Sequence, residues 1–107
     1  MWPINSNATT GFIAIYRSRV APEHEADFRN RWREVTRQGF EHGSFGSCLG
    51  RDANQELVAI ALWPSEAARE DAFHTMSADG PWPPAERVSE DTLQVLDDLW
   101  KKSPFRE

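Results

Sequence analysis

The chain has 107 residues, of which 39% are hydrophobic and 11% aromatic, and its formal net charge is −5 at pH 7. The length favours a single domain over 1–107 with a thin core, which the large side chains of five tryptophans and six phenylalanines help to fill. The acidic balance argues against nucleic-acid binding, which needs a clustered basic face, and against a polybasic membrane anchor.

Cysteine content and the N-terminus bear on the cellular compartment. A single cysteine, Cys48, excludes an intramolecular disulfide framework and favours a cytoplasmic location. Residues 1–10 lack the charged and apolar regions of a secretory signal, and they are expected to form a loose tail pinned by Trp2 or Ile4. No apolar run approaches the ~20 residues needed to span a bilayer.

The first third of the chain predicts a strand followed by a helix. Residues 12–19 are rich in β-branched and aromatic residues, which favour a strand. Pro22 suits the first turn of a helix, and Gly39 is the predicted C-terminal cap of that helix. The helical spacing of apolar residues gives it one buried stripe, formed by Phe28, Trp32 and Val35.

The middle of the chain predicts a hairpin and a second helix. Strands are expected over 44–51 and 56–63, and the short turn at 52–55 favours antiparallel pairing. The second of these strands is almost free of polar residues, as expected for a central strand covered on both faces. Ser65 can cap a helix over 65–77. The inner stripe of that helix is Ala68, Ala72, Phe73 and Met76.

The last third of the chain is less regular. The segment 77–84 contains Gly80 and several prolines, which interrupt any helix or strand. Pro84 can begin a short helical turn to about residue 90. The partial alternation of Leu93, Val95 and Leu99 predicts a fourth strand over 91–100, and 101–107 is a tail. No role is assigned to 77–91.

The predicted order β-α-β-β-α-β is that of the ferredoxin-like α+β fold, an antiparallel four-stranded sheet with both helices on one face. A chain of this length has no third layer to cover the other face of the sheet. A second subunit would supply that cover, so the sequence predicts a two-fold homodimer through the sheet faces, a dimeric α/β barrel.

Three segments of the chain resemble the antibiotic biosynthesis monooxygenase family. They read YRSRVAPEHEADFRNRW, GSFGSCLGRD and ELVAIALWPSEAAREDAF, and the resemblance covers roughly 11–76. It includes a third strand that closes with Trp63, one further residue and Ser65. The resemblance implies a dimeric α+β barrel with a pocket between sheet and helices. Several members of the family oxidise aromatic polyketides with dioxygen, without metal or flavin, and others degrade haem.

The resemblance does not extend to the haem-degrading members. Those proteins carry an asparagine on the first strand, and a tryptophan and a histidine on and after the second helix. The corresponding positions here are Tyr16, Ala72 and Trp82, so no axial ligand for haem is present. The three histidines, His24, His42 and His74, lie in different elements without metal-ligand spacing. The sequence therefore predicts neither a cofactor nor a metal site.

The function indicated by the resemblance is a cofactor-independent, monooxygenase-like enzyme that acts on a small aromatic or polyketide-type substrate. Tyr16 and His24 are the candidate proton-handling residues. The predicted substrate pocket consists of Trp32, Cys48, Trp63, Phe73 and Met76. The alternative is a non-catalytic dimer of the same fold that binds a small molecule. The enzyme hypothesis requires a cavity of at least ~300 Å³ with a few inward polar groups.

Each candidate residue also has a purely structural interpretation. Trp63 can be a core residue that fixes the packing of strand on helix, and Tyr16 can bury its ring with its hydroxyl at the rim. Cys48 can be an inert buried thiol. On the second strand, the small residues Gly46, Cys48 and Gly50 share one face, which would either leave a cavity or allow close approach of another layer.

Overall fold

The structure is a computed structural model, and it describes residues 11–76 and 82–105. Four strands and two α-helices alternate as β-α-β-β-α-β. In chain order the elements are β1 (Phe12–Arg19), a 3-10 turn (Pro22–His24), α1 (Glu25–Phe40), β2 (Gly46–Arg51), β3 (Leu57–Trp63), α2 (Glu66–Thr75) and β4 (Glu86–Gln94). The predictions for 1–10, 77–81 and 106–107 fall outside the described residues.

The strands form one antiparallel sheet in the order β2-β3-β1-β4. The two central strands are therefore β3 and β1, and the two edges are β2 and β4. This strand order is that of the ferredoxin-like α+β fold, so the predicted fold class is confirmed. The predicted hairpin between β2 and β3 and the central position of β3 are confirmed as well.

Side chains alternate between two faces of the sheet because successive residues of a strand point in opposite directions. The face that packs under the helices, called the helix face below, contains the core. Phe12 and Trp63 pair across β1 and β3, and together with Ala72 of α2 they form the central hydrophobic cluster. Each of these three residues is at most 6% exposed.

The opposite face of the sheet, called the open face below, is apolar in the middle of its two central strands, whereas its β4 edge carries Glu86, Ser89 and Asp91 besides Leu93. None of its central aliphatic side chains is fully buried, and Leu93 of β4 is 45% exposed. Cross-strand pairing places the following aliphatic residues on this face: Ile13, Ile15, Val58, Ile60, Leu62 and Leu93.

The prediction for the last strand is wrong in position. The expected strand at 91–100 and the expected helical turn from Pro84 are replaced by β4 at Glu86–Gln94, which pairs along the whole length of β1. β4 is an edge strand with mostly exposed side chains, so backbone pairing and not apolar alternation fixes its position. Leu99, which the alternation assigned to the strand, lies beyond it and is 93% exposed.

The first helix also ends differently from the prediction. Gly39 is not a C-terminal cap, because α1 continues to Phe40 and the first positive backbone φ after it, +99°, is at Gly43. Gly39 is buried inside the helix instead. A Cβ atom there would lie 3.2 Å from Cβ of Ser44 and 4.0 Å from the indole ring of Trp63. The glycine therefore permits close approach of α1 to the sheet.

The second helix begins as the sequence predicts. The Ser65 hydroxyl accepts a hydrogen bond from the backbone N–H of Ala68 at 3.1 Å, which satisfies one of the free donors at the helix start. On the inner stripe Ala72 is 2% exposed, while Phe73 is 50% exposed. Neither helix in the described part of the chain is long and apolar enough to cross a membrane.

Two carboxylates stabilise the periphery of the hairpin. The hydrogen bond from Arg51 at 2.7 Å lowers the pKa of Glu25, and Arg29 lies 3.9 Å from the same carboxylate. Glu25 is therefore paired with Arg29 one turn along α1 and with Arg51 of β2. The pKa of Asp52 is lowered because its carboxylate accepts a hydrogen bond from the backbone N–H of Glu56, 3.0 Å away.

The end of the chain returns to the start of β1. Phe105 lies directly on Gly11, where an added Cβ would come within 2.3 Å of the phenyl ring. The same ring packs edge-on against Phe45, with 5.8 Å between centroids. The predicted tail therefore makes packing contacts, although it has no regular secondary structure as far as residue 105.

Candidate functional site

A cavity of about 540 Å³ lies between the helix face of the sheet and the two helices. Its volume exceeds the ~300 Å³ that the enzyme hypothesis requires. Most of its wall is apolar and aromatic. The large apolar side chains that line it are Phe28, Trp32, Val35, Leu49, Leu57, Trp63, Phe73, Met76 and Trp82.

The cavity exists because small residues occupy the floor beneath the helices. Ala59 and Ala61 on β3 and Ser47 on β2 all face it, and Gly39 lines it from α1. Larger residues at these positions would fill the space, as close packing does in ordinary protein interiors. The aromatic side chains around this floor give the cavity flat, apolar walls.

One corner of the cavity is polar and is formed by four residues, Tyr16, Arg69, Arg87 and Glu90, called the arginine–tyrosine cluster below. Arg69 of α2 donates to the Tyr16 hydroxyl from Nε at 3.1 Å and from Nη2 at 2.7 Å. Arg69 Nη2 also lies 3.2 Å from Oε2 of Glu90, and Arg87 Nη1 donates to Oε1 of Glu90 at 3.1 Å. Both oxygens of the Glu90 carboxylate therefore have a guanidinium partner.

Aromatic rings hold both guanidinium groups in place. The guanidinium carbon of Arg69 lies 4.8 Å from the ring centroid of Phe73, and that of Arg87 lies 4.9 Å from the ring centroid of Tyr16. Such cation–π contacts favour a fixed position of the charge. The side chain of Arg69 is only 14% exposed, so its interactions are screened less than those of a surface arginine.

A β-bulge explains how Arg87 comes to line the cavity. Glu90 pairs with Tyr16, and Arg87 pairs with Ser18. Arg87 and Glu90 are three positions apart in β4, whereas Tyr16 and Ser18 are only two positions apart in β1. Val88 is the extra residue. Without it, residues 87 and 90 would point to opposite faces, because side chains alternate along a strand. The bulge places both charged groups on the helix face.

Trp63 contributes a buried polar group as well as packing. It is 4% exposed and packs edge-on against Phe73, with 5.9 Å between ring centroids. Its indole N–H is buried and has no hydrogen-bond acceptor among the described residues. A buried donor without a partner is unfavourable by roughly 1–3 kcal/mol, so an acceptor that reached this N–H would bind favourably.

The structure brings most of the predicted pocket residues to one cavity. Tyr16, Trp32, Trp63, Phe73 and Met76 all line it. Both interpretations of Trp63 therefore hold in geometric terms, because its side chain is part of the core cluster and of the cavity wall.

Two predicted site residues lie elsewhere. Cys48 was expected in the pocket, but it pairs with Ile60 on the open face and is exposed, so that prediction is wrong. Gly46, Cys48 and Gly50 thus lie on the open face, whereas Ser47 faces the cavity. His24 ends the 3-10 turn and is not among the residues that line the cavity, so the structure does not bring it together with Tyr16.

Sequence reasoning missed Arg69, Arg87 and Glu90. Arg69 could have been found, because it occupies the same helical stripe as Ala72, Phe73 and Met76, where a charged residue is unusual. Arg87 and Glu90 could not have been found, because the sequence predicted a helical turn there and not a strand. It therefore did not indicate that their side chains face the helices. Among the described residues, no group of three or more histidine, cysteine or acidic side chains is arranged to hold a metal ion.

No protein-family model matches the chain, and no curated protein matches it significantly in sequence. Solved structures do resemble it. A candidate antibiotic biosynthesis monooxygenase from Chloroflexus aurantiacus superposes with a TM-score of 0.66 at 10% identity, over 82% of this chain and 95% of that one. The chain has the antibiotic biosynthesis monooxygenase fold. The resemblance noted in the sequence is thereby confirmed at the level of the fold.

Two further structures share this fold. Rv0793 from Mycobacterium tuberculosis has a TM-score of 0.59 at 17% identity, over 84% of this chain and 99% of that one. SnoaB, a cofactor-independent oxygenase from Streptomyces nogalater, has a TM-score of 0.55 at 17% identity, over 84% of this chain and 95% of that one. At these identities the likeness concerns the fold alone, which does not fix an activity.

Proposed function

We propose that this chain is a cofactor-independent, monooxygenase-like enzyme that oxidises a small electron-rich aromatic compound with dioxygen. The observation that carries the proposal is the cavity of about 540 Å³ with aromatic walls and one polar corner. Small-molecule sites have this character: a mostly apolar concavity of ~300–1,000 Å³ with a few placed polar groups. The shared fold with SnoaB, described as a cofactor-independent oxygenase, supports it.

The substrate itself supplies the electrons in this reaction. An anthrone-type ring system loses a proton from its CH₂ group to bulk water before it binds, and the bound carbanion passes one electron to dioxygen. The two radicals combine to form a C–O bond, and protonation gives a hydroperoxide. Loss of the remaining C–H proton with cleavage of the O–O bond then leaves a carbonyl and releases water. One oxygen atom enters the product and the other leaves as water.

Tyr16 is the proposed proton-handling residue. Its hydroxyl oxygen accepts both hydrogen bonds from Arg69, so its own proton is directed away from the guanidinium. No described residue accepts that proton, and Tyr16 lines the cavity, so a peroxide oxygen of the substrate is a suitable acceptor. Arg69 acts through Tyr16 as a positioning residue.

Trp63 is the proposed orienting residue. Its indole N–H has no partner among the described residues, and a carbonyl oxygen of a planar substrate would satisfy it. A hydrogen bond at one edge of the ring system and the aromatic walls around it would fix the substrate relative to Tyr16. Fixing the reacting groups and excluding water are the main contributions a protein can make when the substrate is its own reductant.

The second candidate function is a non-catalytic, small-molecule-binding protein of the same fold. One observation favours it: no histidine side chain within the described ranges lines the cavity, and the carboxylate that does, Glu90, is held by two arginines. Such a protein would bind the same planar ligands without consuming oxygen.

Oxygen consumption with a panel of anthrones and hydroquinones separates the two functions. The enzyme should consume dioxygen above the uncatalysed rate and form the ketone or quinone. Tyr16→Phe should lower that rate about 10²-fold or more, the ordinary contribution of general acid–base catalysis, with little change in KM. His74→Ala, an exposed change on α2, is the matched control. Ligand binding without oxygen uptake would support the binding protein and refute the enzyme.

The same set of variants tests the two residues individually. Trp63→Phe keeps an aromatic ring in the core but removes the N–H donor together with part of the indole ring. It should raise KM or lower kcat, and urea denaturation of the same variant shows how much of the effect is lost packing. Unchanged kinetics in both Tyr16→Phe and Trp63→Phe would show that oxidation, if present, does not depend on the residues assigned to it.

We also propose that the chain forms a two-fold homodimer through the open face. That face carries six aliphatic side chains that the helices do not cover, and the small residues of β2 let a second sheet approach closely. Ile60→Arg should convert a dimer into a monomer in analytical ultracentrifugation. Cys48, exposed on this face in the single chain, should react slowly with a maleimide in the dimer and quickly in the variant. A monomeric wild-type protein would contradict the proposal.

A further inference from the structure

The arginine–tyrosine cluster holds hydrogen-bond donors that the protein itself does not use. A guanidinium carries five N–H donors. Arg69 uses Nε and Nη2 towards Tyr16 and Glu90, and Arg87 uses Nη1 towards Glu90. No described residue accepts from Nη1 of Arg69, or from Nε and Nη2 of Arg87. Both side chains line the cavity.

The cluster also carries an excess of positive charge. Arg69, Arg87 and Glu90 are the charged side chains that line the cavity in the described part of the chain, so one positive charge remains uncompensated. Both oxygens of Glu90 are already hydrogen-bonded, which limits its repulsion of a second anion. Elsewhere the described lining carries no charged side chain, and Trp32 and Met76, for example, are apolar.

We propose that the ligand of this cavity is an aromatic carboxylate whose ionised carboxyl group binds the free N–H groups of Arg87 and Arg69. The inference rests on the proposed function for its setting, and it specifies the substrate class. The planar guanidinium matches a planar carboxylate in shape and can donate two parallel hydrogen bonds to it. The aromatic body of the ligand then extends from this corner along the apolar walls towards Trp63.

Aromatic rings and the Glu90 carboxylate hold both guanidinium groups, although the side chain of Arg87 is 52% exposed and that of Arg69 only 14%. Arg87 lies over the ring of Tyr16 and Arg69 over the ring of Phe73, at 4.9 and 4.8 Å from the centroids. Side chains that are already ordered lose little further entropy when a ligand binds. Arg87 is therefore a specificity residue that distinguishes an acid from its neutral analogue.

The experiment compares two ligands that differ only in charge: anthraquinone-2-carboxylate and anthraquinone-2-carboxamide. Both are fully oxidised, so binding is measured without turnover, by isothermal titration calorimetry or by quenching of tryptophan fluorescence. The carboxylate should bind about tenfold more tightly or better, as expected for charge-assisted hydrogen bonds. In Arg87→Gln the preference should fall to about twofold or less, and in Arg87→Lys it should be partly kept.

Arg37→Gln is the matched control, because Arg37 is exposed on α1 and does not line the cavity. It removes the same charge and should leave the preference unchanged. Equal affinity for the two ligands in the wild-type protein, no binding of the carboxylate, or the same loss of preference in both variants would overturn the inference.

The outcomes also separate this inference from the proposed function. A strong preference for the carboxylate without oxygen uptake on any substrate would keep the ligand class and refute the oxygenase. Oxygen uptake with neutral hydroquinones and no preference for the carboxylate would support the oxygenase and refute the proposed ligand class.

Discussion

The contact between Arg69 and Tyr16 gives the sharpest test of the site geometry, because it can be measured without knowing any substrate. Tyr16→Phe removes the acceptor of two hydrogen bonds and leaves Arg69 with Glu90. Hydrogen bonds to charged groups contribute roughly 1.5–3 kcal/mol each when well formed. Because Arg69 keeps another partner and some access to water, we expect a loss of about 1–1.5 kcal/mol in the free energy of unfolding.

Arg69→Leu should be more damaging. It removes both bonds to Tyr16, one partner of Glu90 and the charge over Phe73, at 14% side-chain exposure. We expect a loss of about 2 kcal/mol. The double variant should lose little more than Arg69→Leu alone, because the contact between the two residues is removed only once. The coupling energy should therefore be about 1 kcal/mol.

Urea denaturation followed by far-UV circular dichroism measures the free energy of unfolding of the wild type, the two single variants and the double variant. The dependence of that free energy on urea concentration should be the same for all four proteins. Arg37→Leu, at an exposed position of α1, is the control and should change stability by less than about 0.5 kcal/mol. Losses that add to within about 0.3 kcal/mol would show that Arg69 and Tyr16 do not interact in solution. The roles assigned to both residues would then fail together.

Three further outcomes test the surrounding structure. Ser65→Ala should cost about 1 kcal/mol of unfolding free energy, since it removes the cap of α2; no loss would refute the cap. Gly11→Ala must displace the ring of Phe105, so its effect should not add to that of Phe105→Ala; additive losses would place the ring elsewhere. Because the pKa values of Glu25 and Asp52 are lowered in the fold, their contribution is complete above about pH 5 and is lost as the pH falls through their folded-state pKa values. Acid titrations of the wild type and of Asp52→Asn should therefore converge at low pH, and parallel curves would contradict this.

Periodicity located the elements whose apolar residues are buried. Residues 12–19 match β1 in both bounds, and 56–63 differs from β3 by one residue, because alternating or continuous apolar residues there pack under the helices. β4 gave no such pattern. Its side chains are exposed and its pairing with β1 depends on backbone hydrogen bonds, which leave little trace in a single sequence.

The site residues that could be predicted are likewise those that lie on buried apolar stripes. Trp63 and Trp32 could be assigned to a pocket because each lies on a stripe that must face the sheet or the helices. Cys48 was misplaced because a strand of small residues does not reveal which of its two faces is covered. Arg69 was recognisable on the stripe of α2, whereas Arg87 depends on a bulge that only the pairing of two distant strands reveals.

That bulge makes the chemistry of the cavity depend on chain length as well as on residue type. If Val88 were deleted, β4 would pair regularly with β1, and each residue before position 88 would rotate to the other side of the sheet. Arg87 would leave the cavity with no change in its identity. Among proteins of this fold, insertion or loss of one residue in the last strand is therefore a route to altered ligand charge preference, and an ungapped alignment would hide it.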